Sequence, residues 1–280
     1  MTELKKLENG FEYIEVVNAS AKAKIALQGA HIFEFTCRGR KDLLWLSEIS
    51  DFELGKAIRG GIPICWPSFG MNNPDLPQHG FARTSMFELI SGVDLDDKTT
   101  ELLFKLSSSQ ETLKLWNYKF ELELKIVITD TLTMILTTTN LDEKEFKLTQ
   151  AFHTYFNIVD ILHVEIDGLD KKPYFNALMS STCRQNGKIT FNKEFDAVFQ
   201  EVEGEILLKD VDREISIKND GSSSVVVWNP WIEKCSRMSA MKSEDYRKFV
   251  CVESANAFDD FKILKPKAEH TLKTTFTLKA

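Results

Sequence analysis

Two polar residues interrupt runs that otherwise read as buried strand. In LTQAFHTYFNI, His153 sits between Phe152 and the aromatic pair Tyr155 and Phe156. In KFVCVESAN, Glu253 follows Phe249, Val250, Cys251 and Val252. An imidazole and a carboxylate are side chains suited to moving protons near neutral pH, and in a shared cleft they make an acid–base couple. The apolar run at 249–252 reads as a strand that stops on Glu253. Its carboxylate then either meets water at a sheet edge or acts as a base whose pKa is set by partial burial. Strand alternation in the first segment puts Ala151, His153 and Tyr155 on one surface, with Gln150 close by, and Phe152, Thr154 and Phe156 on the other. A lone histidine among aromatics is a packed core residue unless a carboxylate such as Glu253 faces it.

A third stretch, RGGIPICWPSFGMNNPDLPQHGFAR (59–83), is crowded with Gly and Pro and fits neither a helix nor a central strand. Arg59 and Arg83 flank it, and arginine suits bidentate recognition of phosphate or carboxylate. Gln78 and His79 suit sugar hydroxyls, and Asp75 is the only acidic residue in the stretch. The plain alternative is a pair of surface arginines on a long loop. VVWNPW (226–231) sets two tryptophans around Asn-Pro and reads as a core plug or hairpin corner in preference to a stacking platform. Asp167 and Asp170 read as turn residues, and His31, His163 and His270 as structural or surface.

These residues must be positioned by strands. FELELKIVI places Phe120, Leu122, Leu124, Ile126 and Ile128 on one face, with Glu121, Glu123 and Lys125 on the other. A break at Thr129-Asp130 leads into TLTMILTTT. EISIK, SSVVVW, FVCVE and HTLKTTFTLK are further strands, and AKAKIALQGAHIFEF reads as strand, Gly-containing turn, strand. The best helix candidate is the SRMSAMKSEDYRKF region before Phe249. Strands without helix alternation predict an all-β fold, a large antiparallel sandwich with few short helices, in a single domain over 1–280.

The whole chain narrows the function classes. Its 280 residues carry 35 Lys and Arg against 42 Asp and Glu, a formal charge of −7, with no basic block. That argues against nucleic acid or an anionic membrane surface as partner, though not against a small anionic ligand. No run of 18 apolar residues reads as a membrane helix, and MTELKKLENGFEYIEV has no apolar region of a secretory signal. The five cysteines (37, 65, 183, 235, 251) are scattered and never form CxxC, which predicts reduced thiols, a cytoplasmic setting and no structural zinc. There is no G-x-S-x-G elbow, P-loop, GxGxxG after a strand, or HExxH.

Taken in order and spacing, RGGIPICWPSFG, LPQHGFAR, FHTYF, VVWNPW and FVCVESAN resemble the hexose-6-phosphate mutarotases, relatives of aldose 1-epimerase, over most of the chain from about residue 10. The resemblance implies a galactose-mutarotase-type β-sandwich with a cofactor-free, metal-free site on a concave face, acting on a small phosphosugar as a monomer. It implies His153 as general acid and Glu253 as general base. Arg59, Gln78 and Arg83 match the substrate- and phosphate-binding set, and His79 a sugar-contacting histidine. Asp196 in FDAVF matches a hydroxyl-holding aspartate only in part, because Ala197 and Phe199 stand where the motif has Arg and Tyr. A free-aldose mutarotase would use the same acid–base pair without needing the arginines. A non-catalytic carbohydrate-binding sandwich would not need His153 and Glu253 together, and a glycosidase would want paired carboxylates.

Overall fold

The structure, a computed structural model, describes residues 1–71 and 73–279. Two large antiparallel sheets face each other. One runs in the order Ile189–Thr190, Glu165–Asp167, Glu205–Lys209, Glu214–Asp220, Glu269–Lys279, Thr131–Asn140, Phe120–Ile128, Thr100–Ser107, Glu88–Asp94. The period-two pattern explains its middle. Phe120, Leu122, Leu124, Ile126 and Ile128 are fully buried, each contributing about 1.5–3 kcal/mol of burial. Across the outer face Lys125 pairs with Glu101 at 3.2 Å. The expected break at Thr129-Asp130 is the hairpin to Thr131–Asn140.

The other sheet carries the candidate site. Its order is Ser181–Arg184, Pro173–Asn176, Phe195–Phe199, Ser224–Asn229, Phe249–Asn256, Gln150–Phe152, Ile64–Cys65, and Tyr155–Asn157 also pairs with Phe249–Asn256. The two sheets meet through Phe156 edge-on to Phe276 at 5.2 Å between ring centres, and through Trp66 Nε1 donating to Thr138 Oγ1 at 2.9 Å. The expected all-β sandwich is what the chain forms. AKAKIALQGAHIFEF supplies strands Ala21–Ala26 and His31–Cys37 of a separate four-stranded sheet. All five cysteines are free.

Strand Phe249–Asn256 is buried at every position, so it does not stop on Glu253, which lies in mid-strand. Val250 and Val252 join the main core between the sheets. Phe249, Cys251 and Ala255 pack on the opposite face under smaller aromatic and aliphatic clusters. Burial on both faces hides the alternation that a half-exposed strand would show.

The helix expected at SRMSAMKSEDYRKF is absent. Residues 236–248 form turns and one 3-10 turn, Asp245–Arg247. Polar side chains there bond the local backbone instead: Lys242 N donates to Asp245 Oδ2 at 2.8 Å and Ser236 Oγ to Glu233 O at 2.9 Å. The short helices are Trp231–Cys235, opened by Pro230, and Gln110–Leu115, whose first amides Ser109 Oγ caps.

Candidate active site

Register brings His153 and Glu253 together. Gln150 pairs with Asn256 and Phe152 with Ser254; after a two-residue interruption Tyr155 pairs with Cys251 in the same register. Continuing that register across the interruption sets His153 directly opposite Glu253. At the interruption the His153 amide leaves the ladder and donates to Pro63 O at 3.0 Å, while Thr154 N folds back on Phe152 O at 2.8 Å. His153 Nδ1 then lies 3.4 Å from Glu253 Oε1. That is ion-pair range without hydrogen-bond alignment; His153 Nδ1 makes no hydrogen bond, and the other carboxylate oxygen, Glu253 Oε2, is also buried without a partner. Tyr155 stacks on the imidazole, 4.8 Å between ring centres at 9°, and fixes its plane.

The Gly/Pro stretch supplies the facing wall. Gly61 (φ +63°) and Gly80 (φ +71°) turn the chain where a Cβ would lie 2.3 Å from Ile32 O and 2.0 Å from Trp66 O, so both positions require glycine. Arg59 is pinned through its backbone: its N donates to Ser50 Oγ at 2.8 Å and its O accepts from Ser47 N at 3.0 Å. Its Nη1 donates to Tyr155 Oη at 3.4 Å, and its Nε is buried without a partner. Arg83, in the 3-10 turn Ala82–Thr84, donates from Nη2 to Gln78 O at 2.8 Å. Among the described residues, no carboxylate lies in ion-pair range of either arginine. His79 (φ +65°) is held by its N on Gly70 O at 2.8 Å and accepts from Gly70 N at Nδ1, 3.2 Å, with its ring 5.6 Å from that of His153. Gln78 is exposed at the rim.

All seven residues singled out in the sequence (Arg59, Gln78, His79, Arg83, His153, Asp196 and Glu253) line one cavity of about 240 Å³. At roughly 30 Å³ per water molecule that space is on the scale of one sugar ring. Among the lining residues, Lys234 went unread in the sequence; Tyr155 stands beside His153 there without a role, and Trp228 reads as a core plug or hairpin corner. Trp228 packs in a buried cluster with Trp45, Tyr155 and Phe249, as expected of a core residue, and also lines the cavity directly across the strand pair from Asp196, while Trp231 packs against Tyr246. Pro230 after a buried strand was the available signal for Lys234, since a helical turn there carries the chain back over the sheet. A larger cavity, about 670 Å³, lies among Asn9–Glu12, residues 51–54, Gln28 and Met86, and offers no histidine or arginine.

Burial dominates the electrostatics. It pushes the Glu253 carboxyl well above the usual carboxylate range, aided by Asp196 and opposed by Arg83. It pushes His153 well below the usual imidazole range, with His79, Arg83 and Arg59 adding to the effect. His79 falls to about 3, from burial first and then Arg83 and Arg59. Both shifts favour the proton on Glu253 over His153, and the two groups face each other within ion-pair range. Among the described residues, His153, Cys251 and Glu253 bring donor atoms within 4.8 Å, which a metal ion could use. Burial keeps the Cys251 thiol protonated, and two unpaired arginines make the cavity inhospitable to a cation.

A buried imidazole–carboxylate couple, beside two guanidiniums that no carboxylate among the described residues pairs, fits proton transfer on a small polar ligand. Residues 12–277 match the family described as aldose 1-epimerase. The chain belongs to that family. Its class is that of the mutarotases, isomerases acting on sugars. It is 34% identical over 264 residues, 92% of this chain and 88% of the other, to an Escherichia coli K12 protein named "Putative glucose-6-phosphate 1-epimerase". A relative of the same name from Cenchrus ciliaris is 33% identical, over 95% of this chain and 84% of the other. Among solved structures, "a putative mutarotase (YeaD)" from Salmonella typhimurium superposes with a TM-score of 0.92 at 31% identity, covering 99% of this chain and 93% of that one. A galactose mutarotase-like protein from Lactobacillus casei shares the fold at a TM-score of 0.75 and 18% identity, over 95% and 100% of the two chains. No helix among the described residues is long and apolar enough to cross a membrane.

Proposed function

We propose that this member of the aldose 1-epimerase family interconverts the α and β anomers of a hexose 6-phosphate, glucose 6-phosphate foremost. Glu253 is the general base and His153 the general acid. The observation that carries the phosphosugar reading is the pair of half-buried arginines with no carboxylate in reach, beside the opposed His153 and Glu253. An uncompensated charge out of water is costly, and a phosphate dianion relieves that cost at two guanidiniums together. The names of the relatives agree with this substrate.

The chemistry needs two proton transfers. Glu253 takes the proton from the C1 hydroxyl while His153 delivers one to the ring oxygen, and the C1–O5 bond opens to the aldehyde. Rotation about C1–C2 presents the other carbonyl face. His153 then recovers its proton from the C5 hydroxyl as that oxygen attacks C1, and Glu253 returns its own to O1. The working form has Glu253 ionised and His153 protonated, and the two groups lie 3.4 Å apart. Arg83 and Arg59 add to the burial that lowers His153, and a bound phosphate cancels that added part, so the substrate itself favours the protonated imidazole. Remote binding at the phosphate also fixes the ring over the couple. Gln78, His79 and Asp196 hold the ring hydroxyls.

The test is selectivity. Arg59→Ala and Arg83→Ala each raise KM for glucose 6-phosphate roughly 10- to 100-fold, the range for charged hydrogen bonds, and leave KM for free glucose nearly unchanged. Anomer exchange followed by NMR reads both. Equal losses on the two sugars would overturn the phosphate assignment in favour of a free aldose.

A further inference from the structure

The cavity is also lined by a lysine that no part of the reading above uses. Lys234 lies on helix Trp231–Cys235, directly after the strand that carries Trp228. Its Nζ is 3.0 Å from Glu194 Oε1 and 3.5 Å from Asp196 Oδ2, and it stands 5.9 Å from the centre of the Trp228 ring. Trp228 and Asp196 are cross-strand partners, so lysine, indole and carboxylate converge at one register position, two strands from Glu253. We propose that Lys234 is a positioning residue: its ammonium anchors the Asp196 carboxylate on the cavity wall, where that carboxylate accepts hydrogen bonds from the ring hydroxyls distal to the phosphate. The proposal rests on the mutarotase reading for its substrate, but not for its first test.

Three observations support it. Lys234 is the only cation paired with Asp196 among the described residues. The side chains of Lys234, Glu194 and Asp196 all remain partly solvated, between 25% and 38% exposed, and such pairs contribute little to fold stability. The arrangement therefore does more for the cavity than for the core. Asp196 is also under opposing pressures: burial drives its carboxyl toward the neutral acid and Glu194 pushes the same way, while Lys234 opposes them through its charge and its hydrogen bond. Without the lysine, burial and Glu194 act unopposed on the carboxyl, shifting it further toward the neutral acid, and the contact that fixes its orientation is lost. The other titratable groups lining the cavity are Glu253, His153, His79, Tyr155 and the two arginines.

Lys234→Met keeps the apolar stem and removes the charge, and Lys234→Arg restores it. In ligand-free protein the Asp196 side-chain carboxyl, followed by its 13C chemical shift, titrates at higher pH in Lys234→Met than in the wild type, with Lys234→Arg close to the wild type. An unchanged midpoint in Lys234→Met overturns the proposal whatever the enzyme's substrate. In turnover, Lys234→Met raises KM roughly 10-fold for glucose 6-phosphate and for glucose alike, with kcat within about twofold, because the contact is to ring hydroxyls. A loss confined to the phosphosugar shows Lys234 on the phosphate and overturns the proposal while leaving the phosphosugar reading intact. In an Asp196→Asn background Lys234→Met adds little further loss; a full additive loss overturns it as well.

Discussion

Strand Phe249–Asn256 buries polar side chains on both faces and treats them in opposite ways. On the inner face, Ser254 Oγ donates to Thr274 Oγ1 at 2.9 Å. Asn256 Nδ2 donates to Gly221 O and Asp260 Oδ2, both at 2.9 Å, and its Oδ1 accepts from Gln150 Nε2 at 3.0 Å with His270 Nε2 at 2.9 Å. Of that cluster only Gln150 Oε1 lacks a partner. Three residues away on the outer face, Glu253 Oε2, His153 Nδ1 and Arg59 Nε are all buried without one. A buried polar group left unpaired costs about 1–3 kcal/mol, so one strand spends stability on one face that it recovers on the other. The inner face closes a sandwich; the outer face holds donors and acceptors ready for a ligand.

The largest effect separating the two faces is on rate. Glu253→Gln keeps the shape of the outer face and removes its base, so anomer exchange on glucose 6-phosphate falls by about 10²–10⁴-fold, the usual contribution of one positioned proton-transfer group. Fold and phosphosugar binding persist in this variant. Near-normal exchange in folded Glu253→Gln protein would leave the outer face with no catalytic role for this carboxylate.

Next comes the mirror experiment on the inner face. Asn256→Ala removes a side chain with four hydrogen-bonding contacts and strands Gln150 and His270, at a cost of about 1–3 kcal/mol or more. Denaturant unfolding shows the loss as a lower midpoint, while kcat per folded molecule stays within about twofold. A variant that lost turnover without losing stability would break the division between the faces.

The same division explains what the sequence disclosed. The strand FELELKIVI is half exposed, so its alternation was plain and its bounds, Phe120–Ile128, are those expected. FVCVESAN is buried on both sides and looks like an apolar run ended by a charge, which is why Glu253 reads as a strand end and proves to be mid-strand. The pairing of His153 with Glu253 depends on a register that spans an interruption at residues 153 and 154 and no local pattern encodes it. Glycines and prolines marked the 59–83 wall because steric demands on a tight path are local. Lys234 was invisible because it reaches the cavity through a helix one turn long whose direction is set by packing. The failed helix at 236–248 has the same origin, polar side chains choosing local backbone partners over helical ones.

The smallest effect is the most pointed, because here removing a functional group improves the fold. Glu253 holds its proton more tightly in the folded chain than in the unfolded one, where its pKa is near 4.5. Above that pH the unfolded state gives up the proton and the folded state keeps it, so wild-type stability declines as pH rises until the folded carboxyl itself ionises. Glutamine has no proton to lose. Glu253→Gln is therefore more stable than the wild type by about 1 kcal/mol or more at pH 7 and above, and the gap narrows as pH falls toward 4.5. His153 is depressed in both proteins, so its own loss of stability below pH 6.5 largely cancels in the difference. Unfolding midpoints of the two proteins across pH 4.5–9 measure the gap. A gap that is constant with pH, or that opens toward acid, would mean that Glu253 is already ionised and compensated in the empty cavity, and the outer face would then be as satisfied as the inner one.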